Sequence, residues 1–535
     1  MAGYFSLHAY DADVWIPGFR GLNQADIGMN PDIRFAEEEE NVETPNGVLQ
    51  PQAACPEMEG SFTDRVETLA SFYRRWYTGE GSHTWYVCCS GGKLYQKQAG
   101  SDVEWIEIEL PTGINAFQKS AWSWVTYEIN PENENYTVDV LLISNKEDGM
   151  YMIVPPDKPT THDDLTEYTH SALAAKTHNE LSSPAWVVRT VDTNGYKFGV
   201  IERYSERIWG ANIKDNPDML MYSKPYDPMD WDADPDHPED GAGDILQPSW
   251  DGDTFCALKR FGDQLLAFKK NRIWRVLNTN PGEYEFQEQY GGGTAYPNTV
   301  AVDKERVFMG EINGMSVYDG MSTSPYAREQ VEQIWRTVNK DALDQMCGAL
   351  FQNRYYLAFP TGDSTVNNAM LVYNLTEGTI LYYTGFHVES LLPTDDELFF
   401  TSSTLPGKML RLKYDSWETG QASGAATKWV SPWIDFGYKR IQKGGFDLYF
   451  VPEVKDTAVQ LKISVQTEKK MKTKAYTVQP LTSEQITANK SHKGKRLHFG
   501  GAGRKFRIII ETEAGVTVPW RLIGGIQLVV ETDPD

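Results

Sequence analysis

At 535 residues the chain is too long for one ordinary core, so it holds more than one domain or a repeat array. Its composition, 40% hydrophobic with 16 Trp and 28 Tyr, belongs to a folded chain that leans toward β structure. The net charge of −25 is unevenly spread: residues 428–535 carry 18 Lys and Arg against 11 Asp and Glu, a balance of +7, which leaves −32 for residues 1–427. So acidic a body repels phosphate and excludes stable nucleic-acid binding by that part.

Residues 1–60 read as an extended segment that contributes to contacts between subunits. Residues 1–22 lack a basic region followed by an apolar run, so nothing marks export by the standard route, and no stretch approaches the ~20 apolar residues of a membrane-spanning helix. The five cysteines, Cys55, Cys88, Cys89, Cys256 and Cys347, are odd in number and contain no C-x-x-C, which gives neither a disulfide framework nor a zinc site. They read as reduced, partly buried thiols, with Cys88 and Cys89 on opposite faces of one strand.

Between residues 61 and 415 one pattern recurs: an apolar run, a polar turn and a second apolar run. It centres on Gly91, Lys146, Tyr204, Lys270, Asn313, Asp363 and Thr404, with Asn, Gly, Asp, Ser and Pro filling most of the turns as hairpins require. A four-stranded blade takes about 40 to 50 residues, so this spacing predicts a six- or seven-bladed β-propeller. A long array of β-sandwiches is the other arrangement such hairpins allow. "FGDQLLAFKKNRIWRV", 261–276, is the clearest unit, with Leu266, Phe268, Trp274 and Val276 as packing positions. Its basic turn, Lys269 to Arg272, reads as a positive spot for an acidic neighbour. Helical periodicity is confined to 328–346, where Val331, Ile334, Trp335 and Val338 share a face and predict a connecting helix.

"SWETGQASGAATK", 416–428, is small and polar and reads as a linker. Beyond it, longer alternating strands predict a C-terminal β-sandwich over 429–535, with Leu461, Ile463 and Val465 inward against Lys462, Ser464 and Gln466 outward.

Candidate chemistry is sparse. Asp230, Asp232, Asp234 and Asp236 alternate, but an EF-hand loop starting at Asp230 would need Gly where Pro235 stands and Glu where Gly241 stands. An acidic solvated loop is the main reading, and a calcium site of another kind stays open. "THDDLTEYTH" gathers His162, Asp163, Asp164 and His170 without metal-ligand spacing, which favours a surface loop. "SWDGDTF" approaches a sialidase Asp-box through Ser249, Asp251 and Phe255, yet Asp253 stands where Gly is required, so it reads as a blade turn. "GGGT", 291–294, and "GGAGRK", 500–505, lack the setting of a phosphate loop and read as turns. "EKKMKTK", 468–474, reads as an exposed edge strand guarded by lysine, with docking on an acidic neighbour as the second reading. No catalytic, cofactor-binding or metal-ligating residue is assigned.

"GFRGLNQ", 18–24, followed by "AEEEENVETPNGVLQP", 36–51, resembles the opening of a group of tailed-phage virion proteins. The chain keeps Gly21-Leu22-Asn23, Glu40-Asn41-Val42, Gly47 and Leu49 of that pattern, but lacks its usual basic residue near Gln52. "WDGDTFCALKRFGDQLLAFKKNRIW" and "GGGTAYPNTVAVDKERVFMGEINGMSVYDG" look like blades of the same group, and "KWVSPWIDFGYKRIQKGGFDLYF" like its appended sandwich. The resemblance implies a virion tail component related to the nozzle and packaged-DNA-stabilisation proteins of short-tailed phages. In those families a ring of copies, commonly six, continues the DNA channel and meets portal-adaptor and other tail proteins. It implies no enzyme activity and no cofactor, assembly in the bacterial host cytoplasm, and genomic DNA passing without sequence-specific binding. An acidic lining fits that passage, since no fixed cation would replace the counterions of DNA. A host-receptor or glycan-binding protein using exposed Trp and Tyr, or a glycan-cleaving enzyme, are the rival roles for such a fold.

Overall fold

The computed structural model describes residues 10–25, 32–58, 60–74, 83–100, 104–129, 138–155, 186–248, 252–280, 282–434, 443–480 and 494–532. Five of the recurring hairpins belong to four-stranded antiparallel sheets and the last two share a six-stranded one, and the sheets follow one another along the chain. Their first strands are Val66–Arg74, Ser123–Ile129, Phe198–Tyr204, Phe255–Phe261, Ala301–Val302 and Cys347–Phe351, which open blades 1 to 6. The seventh begins inside the 15-residue strand Thr379–Pro393. That strand bends at Gly385 and His387, both with positive φ. Its first half closes blade 6 and its second half pairs with Leu398–Ser402 to open blade 7.

The ring shuts with residues from the other end of the propeller. Glu57 bridges Leu410, and the Met58 amide donates to the Met409 carbonyl at 2.8 Å, so residues 56–58 supply the fourth strand of blade 7. The first strand of blade 1 then lies beside that of blade 7. Seven apolar clusters, one at each junction between consecutive blades, confirm the count. Because every blade is covered on both faces, strands such as Gly149–Val154 are buried throughout instead of alternating. Cys88 packs at the junction of blades 7 and 1 while Cys89 packs at that of blades 1 and 2, on opposite faces as expected. In the hairpin 261–276, Leu266 and Phe268 face blade 5 and Val276 faces blade 3, with Trp274 partly buried on the same side.

Two expectations are corrected here. Residues 328–346 do not form one helix: a four-residue helix, Glu332–Trp335, is flanked by the 3-10 turns Glu329–Val331 and Lys340–Gln345. The apolar face is nevertheless buried, since Val331, Ile334, Trp335 and Val338 plug the junction of blades 5 and 6. The hairpin at Tyr204 joins the first and second strands of its blade, whereas the other six join the second and third.

The sandwich follows as a four-stranded sheet against a five-stranded one. Leu461, Ile463 and Val465 point inward as expected, but Ser464 is covered too, its hydroxyl 2.8 Å from that of Thr473. Gly500 to Gly503 lie within the strand Lys495–Gly503 rather than in a turn. Both sheets borrow an edge strand from the N-terminal segment: Tyr10–Ile16 pairs with Trp520–Thr532, and Glu38–Glu40 pairs with Thr427–Val430. The described part of that segment is thus spent within the chain. Residues 416–428 are likewise fixed, with the Ser416 hydroxyl donating to the Pro51 carbonyl at 2.6 Å and Ala422 bridging Ala53.

Candidate functional surfaces

The N-terminal residues of the phage resemblance lie at the seam between propeller and sandwich, whereas its other segments fall in blades 4 and 5 and in the sandwich itself. Gly21 lies against the last strand of blade 6 so closely that a Cβ there would stand 2.1 Å from the Ile380 carbonyl oxygen. Leu22, Val42 and Leu49 are buried. Asn41, at φ 54°, accepts from the Thr384 amide and donates to Thr384 Oγ1 and the Ala426 carbonyl, tying blade 6 to the sandwich.

Beside them sit two carboxyl groups that the run of four glutamates had not singled out. Glu43 is 3% exposed and accepts from the Asp415 amide at 2.7 Å and from Tyr383 at 3.3 Å. Burial pushes its pKa up to about 7. Glu39, equally buried, has no hydrogen-bond partner among the described residues; burial first, then the nearby Glu43, raise it well above the ordinary carboxylate range. Gln52 lies on the Glu43 face of the hairpin, two residues beyond the Glu43–Gln50 pair, and both atoms of its amide are unpartnered. The basic residue usual in the resembling family is missing at this place.

The basic turn of 261–276 already has its acidic neighbour, within this chain. Lys269 is fully buried, and its ammonium donates to Asp218 Oδ1 at 2.9 Å and to the carbonyls of Gln247 at 2.7 Å and Asp253 at 3.0 Å, above the Phe255 ring. Arg272 pairs with Asp253 and Glu288. Asp253, the residue that spoils the Asp-box, accepts the Lys270 and Asn271 amides at 2.8 Å each, so it builds the turn. Gly293 of "GGGT" packs on the same turn, where a Cβ would fall 1.8 Å from the Lys269 carbonyl oxygen.

The acidic loop after blade 3's third strand, Met219–Tyr222, is exposed and shaped by its own side chains: Asp230 accepts the Asp232 amide, and Asp234 accepts the Asp236 and His237 amides. The buried Arg207 holds it from beneath by donating to the carbonyls of Glu239 and Gly241. Among the described residues no group of three or more His, Cys, Asp or Glu is placed to share a metal ion. His162, Asp163, Asp164, His170, Ser249 and Asp251 lie outside the described residues. All five cysteines are free thiols, and burial pushes Cys55, Cys89, Cys256 and Cys347 up to about 12. Such thiols stay protonated and unreactive.

Two surfaces remain without an internal partner. The lysine strand Met471–Val478 is the edge of the five-stranded sheet, exposed over most of its length. It borders a cavity of about 470 Å³ at the open end of the sandwich, floored by Phe446 and Val465 and rimmed by Lys469, Lys470 and Lys472. On the propeller, Tyr290 is 85% exposed, and it lies at the bridge to Ser322, next in sequence to Met321, which is 77% exposed.

No protein-family model matches the chain, and no curated protein matches it. Among solved structures it is similar to the WD40 domain of Neurospora crassa Pan2, at 9% identity and a TM-score of 0.35, covering 68% of this chain and 96% of that one. No helix among the described residues is long and apolar enough to cross a membrane.

Proposed function

We propose that the chain is a structural component of a bacteriophage tail, a ring-forming nozzle or head-proximal hub whose role is mechanical rather than catalytic. The observation that carries this reading is the placement of the resembling residues. Gly21, Leu22, Asn41, Val42 and Leu49 sit where the N-terminal segment joins propeller and sandwich, which supports reading the pattern as an architectural one. The step from architecture to role is analogy. The charge partition supports it: a strongly acidic propeller retains passing DNA weakly, and a basic sandwich can meet the acidic body of the next copy. In this reading the copies form a closed ring, six by analogy, and DNA slides through.

A reconstruction of the particle tests the proposal. The expected result is a closed ring of this chain next to the portal or tail tube, with a hole wide enough for duplex DNA, about 20 Å or more given groove-scale dimensions. A trimer at the tail tip touching neither would sink it. Exposed Trp15 and Tyr226, at 62% and 58%, are the feature that favours host-glycan recognition instead. Saturable glycan binding lost on Trp15→Ala would move the assignment there.

A further inference from the structure

We infer that the cavity at the open end of the sandwich receives Tyr290 of a second copy of this chain, making the head-to-tail contact that closes the proposed ring; the inference rests on that ring reading. The two surfaces are complementary in shape and charge. The cavity has an apolar floor, Phe446 and Val465, under a rim of three lysines that have no acidic partner among the described residues. Gly501 contributes no side chain to the wall, and a Cβ there would meet the Phe446 ring at 3.2 Å. At about 470 Å³ the space is on the scale of a small-molecule pocket and accepts one aromatic side chain with room for its hydration.

The other surface is its counterpart. Among the described residues Tyr290 is the most exposed large hydrophobic side chain, at the rim where blades 4 and 5 meet through the Tyr290–Ser322 bridge. Acidic residues flank Tyr290 in the chain: Glu288, which also pairs with Arg272, precedes it by two residues, Glu285 lies on the same outer strand, and Asp319 stands three residues before its bridge partner Ser322. An aromatic anchor in a desolvated pocket with oppositely charged rims is the arrangement in which a few residues carry most of an interface's affinity. The surfaces lie on different domains, so the contact is heterologous: each copy offers its sandwich to one neighbour and its propeller rim to the other. Such contacts make rings when the rotation closes. The lysines next to an exposed edge strand also keep that edge from pairing indiscriminately.

The full chain is tested by analytical ultracentrifugation at low and high salt, with Tyr290→Ala and the pair Lys470→Glu and Lys472→Glu. All three positions are surface residues, and far-ultraviolet circular dichroism checks folding. Wild type is expected to self-associate more strongly at low salt, and each variant to weaken association at least about tenfold. A photo-crosslinking benzoylphenylalanine at position 290 is expected to capture peptides from residues 443–503 of another copy. Assembly unchanged in both variants, or crosslinks mapping elsewhere, overturns this contact and leaves the ring reading standing. A wild type that stays monomeric at every concentration and salt defeats the ring reading and this contact together.

Discussion

Lys269 shows how a single residue misleads when read only with its sequence neighbours. "KKNR" has the composition of an exposed turn, and Lys270 is indeed exposed, but Lys269 points the other way and spans blades 3 and 4. Its partners come from two loops, Asp218 from one and Gln247 and Asp253 from the connection between blades 3 and 4, so nothing local announces the site. Lys269→Met should leave buried carbonyls and Asp218 without their donor and cost about 3 kcal/mol, read as a lower urea midpoint for the full chain. Glu39, inside a run of four glutamates, and Glu43, three residues beyond it, likewise give no local sign of being buried. Their folded pKa values lie above the ordinary 4.5, so the folded state holds protons that the unfolded state gives up. The stability they support is therefore fully present below about pH 4.5 and is lost as pH rises through about 7 and beyond. For Glu43 alone the difference is worth about 3 kcal/mol. Thermal midpoints measured from pH 5 to 8 should fall, and Glu39→Gln should flatten that fall and raise the midpoint at pH 8; an unchanged slope would show that the pair is not what drives it.

Among the elements, the hairpins were legible because turn chemistry and apolar runs are local signals, and all seven proposed turns join neighbouring strands of a blade. The alternating strands of the sandwich were legible for the same reason, apart from Lys495–Gly503, whose glycines imitate a loop. What the sequence hid was pairing across great separations. Residues 56–58 finish blade 7, and Tyr10–Ile16 and Glu38–Glu40 finish the two sandwich sheets, each with partners hundreds of residues away. No periodicity encodes such a match. Gly21 is a tight point along this clasp. Gly21→Ala would force the segment off the strand of blade 6, and limited proteolysis should then cut within residues 10–58 well before the blades are attacked.

For the molecule as a whole, the clasp changes what "two domains" means. The seven blades and the sandwich each have their own apolar core, but the N-terminal segment is built into both, and Asn41 hydrogen-bonds to each. The division of charge that was visible in the sequence, an acidic body and a basic end, thus belongs to two bodies bolted together by shared strands. A contact that pulls on the sandwich is transmitted through backbone pairing to blades 6 and 7, as the proposed ring would require of a load-bearing part.

The pairing of Tyr10–Ile16 with Trp520–Thr532 also sets a clock. The two strands leave the ribosome more than 500 residues apart, on the order of a minute at ordinary synthesis rates. Until the later one emerges, the earlier has no sheet to join, and the sandwich that carries the lysine-rimmed cavity stays unfinished. A chain that stops early therefore lacks a finished sandwich, so if copies assemble as proposed, translation itself screens which of them are fit to do so.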